Sequence, residues 1–249
     1  MNRYPNEVIS LSRMFGKSVR LHYLTLKHSI LFIFLITVIK FIATLAIQPT
    51  TNTYLEWLII IIATFLIVYC FSAALYGVQA AFKDAPQSIA QNIKFVWQER
   101  YRIYSAFWIY VLGAVVLYYV LSLLLLGIEH FFGHLTTIHT TGLIITAALL
   151  IVYVSMLYFS YPLTLIDNAS LPKALHDSAE LTDKNKFSVL TSLVLLFAVI
   201  LLVTPGMMYE YLLSIYHLNI VFDFIVFSVG IPLYINLLLL IIHDAKLQQ

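Results

Sequence analysis

The sequence reads as an all-α, polytopic membrane protein with six transmembrane helices, arranged as three parallel repeats of an amphipathic helix followed by a helical hairpin. Composition, long apolar runs and the distribution of basic residues carry that reading. Of 249 residues, 61% are hydrophobic and only 10% charged, and the mean hydropathy is +0.92. A soluble domain carries about 25% charged and roughly 45–50% apolar residues, so this chain lacks the polar side chains for a soluble surface. A net charge of +2 leaves no bulk basic field for holding nucleic acid. The apolar runs do not alternate with polar positions, which excludes the strands of a membrane barrel.

The chain opens with an amphipathic segment. Val8, Leu11, Phe15 and Val19 line one helical face, and Arg13, Lys17 and Arg20 line another. That pattern suits a basic helix lying in the headgroup plane. A spanning helix needs about 20 apolar residues. The first such run covers 29–47 and the second 55–82. The first run begins after a long basic leader, so it is expected to be a retained helix and not a cleaved signal. A second amphipathic segment comes next, with Ile89, Ile93 and Val96 on one face and Lys94 and Arg100 elsewhere. Spans three and four are expected at 104–127 and 141–166, with Pro162 kinking the latter. The third amphipathic segment is the most polar, with Asp177, Glu180, Asp183, Lys184 and Lys186. Spans five and six are expected at 187–205 and 220–243, the last kinked by Gly230 and Pro232.

Orientation comes from lysine and arginine. All 14 basic residues except Lys40 precede span one, follow span six or lie in the loops after spans two and four. The opposite loops, 48–54, 128–140 and 206–219, hold none. The positive-inside rule therefore places both termini in the cytoplasm. The cytoplasmic segments also resemble one another. Pro5, Pro86 and Pro172 are each followed by apolar residues three and nine positions on, namely Val8 and Met14, Ile89 and Phe95, Leu175 and Leu181. Lys83-Asp84-Ala85, Asp167-Asn168-Ala169 and His243-Asp244-Ala245 close the even spans. The repeats are expected at 5–85, 86–169 and 172–245 within one integral domain covering 1–249.

Few residues suggest chemistry. Lys40 lies inside span one, where an uncompensated lysine costs at least about 2.5 kcal/mol. It is a candidate for binding an anion in a cavity, or for pairing with Glu56 or Asp223 near the ends of neighbouring spans. Arg13, Lys17, Arg20, Lys94 and Arg100 are candidates for holding anionic lipid headgroups. Glu129, His130, His134 and His139 share an outer loop and form a weak candidate metal set. Gln79, Ser155, Ser160, Thr164 and Asn236 are read as helix–helix contacts, and the single cysteine, Cys70, as a core residue. P-loop, GxSxG and HExxH motifs are missing, as is any pair of mid-span carboxylates. No cofactor is expected.

One stretch resembles a known family. Ser160-Tyr161-Pro162-Leu163, then Leu171-Pro172-Lys173-Ala174-Leu175 and Ser178, is similar to YciC-type bacterial inner-membrane proteins. It is also similar to the membrane portion attached to some glycerophosphodiester phosphodiesterases. The resemblance implies topology and a bacterial inner membrane, and carries no phosphodiesterase activity, because no such catalytic domain is present. The expectation is a non-enzymatic scaffold or lipid-interacting component, with membrane lipid and another membrane protein as partners. A transporter or lipid-handling protein with a cavity near Lys40 is the alternative.

Overall fold

The structure is a computed structural model, and it describes residues 5, 7–47, 52–132, 136–191, 193–194 and 216–247. Among them every regular element is an α-helix: α1 (Leu11–Ile47), α2 (Thr53–Phe82), α3 (Ile89–Gln98), α4 (Arg100–Phe132), α5 (Thr136–Met156), α6 (Ser160–Ile166), α7 (Leu171–Lys184) and α8 (Tyr216–Leu247). Five described stretches are long and apolar enough to cross a membrane, at Leu11–Ile47, Thr53–Phe82, Arg100–Ile128, Thr140–Ile166 and Val221–Leu247. By length and composition this is a multi-pass membrane protein. Most of the expected fifth span, 187–205, lies outside the described residues.

Two compact units divide the chain, Met1–Glu99 with Leu190–Gln249, and Arg100–Val189. In the first unit α1 packs on both α2 and α8. α1 differs from expectation, for the amphipathic segment and the span form one unbroken helix of 37 residues. No proline separates Leu11 from Ile47, and the one glycine, Gly16, does not break the helix. At ~1.5 Å per residue that is about 55 Å, well beyond a hydrocarbon core of ~30 Å. Its packed side runs through Met14, Ser18, Thr25, Ser29, Phe32, Ile33 and Ile36. The second half of α2, which packs on α1 and α3, is rich in small residues, with Ala73, Ala74, Gly77, Ala80 and Ala81 all buried. Between helices in lipid there is no hydrophobic drive, so close approach of small side chains and hydrogen bonds must supply the adhesion. α2 starts on Asn52, whose Oδ1 accepts from the Tyr54 and Leu55 amides. It ends in a left-handed turn at Asp84, φ 56°, with the Ala85 amide donating back to the Ala80 carbonyl.

In the second unit α4 and α5 pair closely because Gly113 leaves a notch that the Tyr153 side chain occupies. The Tyr153 hydroxyl donates to the Ile109 carbonyl at 3.1 Å. The expected fourth span is interrupted. α5 stops at Met156, residues 157–159 form turns, and α6 resumes at Ser160. Pro162 sits in the first turn of α6, where its missing N–H could not have bonded the Tyr158 carbonyl. Two residues past the end of α6 stands Asn168, the second left-handed residue, φ 54°. Aspartate and asparagine tolerate this conformation better than other side chains. α8, by contrast, stays helical through both Pro232 and Asp244.

Candidate functional site

The sequence candidates Lys40 and Asp223 come together. Lys40 Nζ stands 2.6 Å from Asp223 Oδ2, an ion pair between α1 and α8. The two side chains keep 25% and 9% of their exposure, so neither charge is left to solvent alone. The Phe227 ring adds a cation–π contact 6.0 Å from Nζ. Among the described residues Glu56 is not brought to this pair. It occupies the first turn of α2, where a carboxylate complements the helix dipole.

Further along the same interface Asn236 ties α8 back to α1. Its Nδ2 donates to the Ser18 carbonyl at 2.9 Å, and its Oδ1 accepts from the Thr25 hydroxyl. Asn236 is fully buried. A third tie involves the segment ahead of α1. The Ile9 amide donates to Asp244 Oδ1 at 2.7 Å, and His243 Nε2 lies 2.8 Å from the Pro5 carbonyl oxygen. Pro5 and Ile9, ahead of α1, are therefore both tied to the end of α8, where Asp244 is 2% exposed.

The two short amphipathic helices both fold back on the helix before them. α3 begins with a capping box, in which the Gln91 amide donates to Ser88 Oγ and Gln91 Oε1 accepts from the Ser88 amide. Asn92 and Val96 face inward, and the Asn92 amide occupies the space that any side chain at Gly77 would need. Tyr69 donates its hydroxyl proton to the Ile93 carbonyl, and the Tyr76 ring stacks on Phe95 at 3.8 Å. α7 docks on the interrupted helix. Ser178 Oγ donates to the Met156 carbonyl at 2.8 Å and accepts from the Phe159 amide at 3.0 Å. Thr182 Oγ1 donates to the Ser155 carbonyl at 2.9 Å. The break frees backbone groups, and two α7 hydroxyls take them up. Composition gives no sign of this splint. Ser178 stands in the family-like motif, but only the fold shows what it touches. Arg102 bonds the Asn168 carbonyl at 3.1 Å and the Asn168 side chain, fixing the left-handed turn.

Arg13 and Arg20 lie exposed on α1 and Lys94 on α3, while Lys17 is half-buried. The α1 segment presents three faces: packed at Met14 and Ser18, apolar but exposed at Phe15 and Val19, and basic at Arg13, Lys17 and Arg20. Arg100, on α4 in the second unit, is half-buried with its guanidinium 4.5 Å from the Tyr101 ring centroid. Just past the end of α7 the Lys186 ammonium, 2.7 Å from Asp183, holds that exposed carboxyl below the usual carboxylate range. The side chains of Glu129, His130, His134 and His139 lie outside the described residues.

Comparison of this chain with family models, with curated proteins and with solved structures gives no match.

Proposed function

We propose that this chain is a non-enzymatic integral protein of a bacterial inner membrane, of the YciC type, acting as a scaffold that engages lipid through basic helices on the cytoplasmic leaflet. Its termini are cytoplasmic and its six spans form three parallel repeats. The observation that carries the reading is the three-faced start of α1. One side packs on the protein, one exposes Phe15 and Val19, and one carries Arg13, Lys17 and Arg20. An apolar strip beside a basic strip is what the boundary between acyl chains and anionic headgroups accommodates.

Shared construction supports the repeat. Each of α1, α3 and α7 starts directly after a serine, at Ser10, Ser88 and Ser170. Asp84 and Asn168 share one left-handed conformation at the matching ends of α2 and α6. The prolines are less regular markers, since Pro5 lies well ahead of α1, Pro86 just before Ser88, and Pro172 inside the first turn of α7. The Lys40–Asp223 pair supports a scaffold over a transporter, because it gives the half-buried lysine a helix-locking role that needs no aqueous cavity.

Thiol labelling tests the reading. In a Cys70→Ala background, Glu7→Cys and Lys246→Cys should resist a membrane-impermeant reagent on intact cells, and Thr53→Cys should react. Glu7 and Lys246 labelling from opposite faces would overturn the topology. Neutralising Arg13, Lys17 and Arg20 to Gln should abolish enrichment of anionic lipid in the purified protein.

A further inference from the structure

We infer that α3 is a half-immersed interfacial helix that docks an anionic phospholipid, with acyl chain against Ile89, Ile93 and Trp97 and phosphate at Lys94 and Lys83. This rests on the membrane reading proposed for the chain and extends it to a helix whose orientation the fold dictates. The Gly77 notch, the Tyr69–Ile93 hydrogen bond and the Tyr76–Phe95 stack pin α3 against the second half of α2. They leave it no freedom to roll its apolar row inward. That row, Ile89, Ile93 and Trp97, recurs every helical turn and is 46%, 39% and 60% exposed. A capped ten-residue helix with such a row on its open side is poorly matched to water.

Position and charge identify the occupant. α3 is held about level with Gly77, near the end of α2, which is a helix long and apolar enough to span. Its open side therefore meets the edge of the hydrocarbon and not its centre. Tryptophan favours that level, where its ring is in the acyl region and its N–H reaches water and headgroups. Lys94 comes next around the helix from Trp97, and Lys83 stands exposed at the turn that leads into α3. Lysines at this level attract anionic headgroups. A protein partner would need an acidic, apolar groove brought to the bilayer edge. The lipid is already there, with the required charge and chain.

Tryptophan fluorescence decides. The chain has 3 tryptophans, so single-tryptophan forms isolate Trp97, Trp57 or Trp108. Each is reconstituted into phosphatidylglycerol–phosphatidylcholine vesicles in which one lipid carries bromine near the glycerol end of its chain. Trp97 emission should fall roughly twofold and more strongly when phosphatidylglycerol is brominated, as expected of a helix at the headgroup–acyl boundary. Lys83→Gln with Lys94→Gln should equalise the two lipids. Trp97 quenched by acrylamide but not by bromolipid, while Trp57 and Trp108 respond to bromolipid, would overturn the docking. Equal quenching by both lipids in the native chain would overturn it as well. If none of the three responds to bromolipid, the membrane reading itself fails.

Discussion

Lys40 and Asp223 are each costly in lipid and much less so together, which makes the pair a register mark between α1 and α8. Breaking a buried pair leaves one charge without its counterpart, whereas replacing both by apolar groups of similar size is close to neutral. Lys40→Met alone should therefore destabilise the folded protein by up to about 3 kcal/mol, and Lys40→Met with Asp223→Leu should recover most of it. Denaturant-driven unfolding in mixed micelles reads both. Equal loss in single and double variants would show that the pair itself contributes nothing. This pairing was legible in the sequence, because a lone lysine in an apolar run has few acids to meet. Glu56 was an equal candidate on sequence alone. What separates the two is that α8 places Asp223 alongside the last third of α1, whereas Glu56 lies in the first turn of α2. Asn236 was legible as a helix–helix contact, but its partners were not. The Ser18 carbonyl and Thr25 hydroxyl lie more than 200 positions away, and no local pattern encodes that meeting.

At the scale of elements, long helices were readable because an apolar run has one physical outcome in lipid. Their interruptions were only half readable. Pro162 marks a disturbance, but the turn at 157–159 survives because α7 supplies Ser178 and Thr182. Ser178 both donates and accepts, so Ser178→Ala orphans the Met156 carbonyl and the Phe159 amide at once. It should cost about 1–3 kcal/mol and speed exchange of the Phe159 amide, measured by hydrogen–deuterium exchange. An unchanged exchange rate would argue that water, not α7, serves the break. α3 depends on its glycine notch in the same way. Gly77→Ala should lift α3 at a cost of about 1–3 kcal/mol and expose the 83–88 turn to protease. Asn92→Ala, which removes the clashing amide, should restore resistance. The α1 boundary was misread because a change from polar to apolar composition looks like a junction. Backbone helicity ignores that change when no breaker intervenes, and the segment runs straight on from Ser18 to Ile47.

Across the whole molecule the closing triplets of the even spans resemble one another in sequence, yet the chain leaves them in two different ways. After Asp84 and Asn168 it turns through a left-handed residue toward its next amphipathic helix. At Asp244 the helix continues, and the backbone that arrives at its carboxylate is the segment before α1. The third position is thus filled by the opposite end of the described chain. Asp244→Ala should free the Ile9 amide, seen as faster proteolysis ahead of α1, with α8 still folded and a stability loss of about 1–3 kcal/mol. Asp244→Asn keeps an oxygen acceptor and should behave nearly as the native chain. That tie has a bearing on biosynthesis. The Ile9 amide is synthesised 235 residues before its partner. Until α8 has been delivered, the opening segment has nowhere to settle. A nascent chain stalled before Asp244 would keep that segment loose and open to protease.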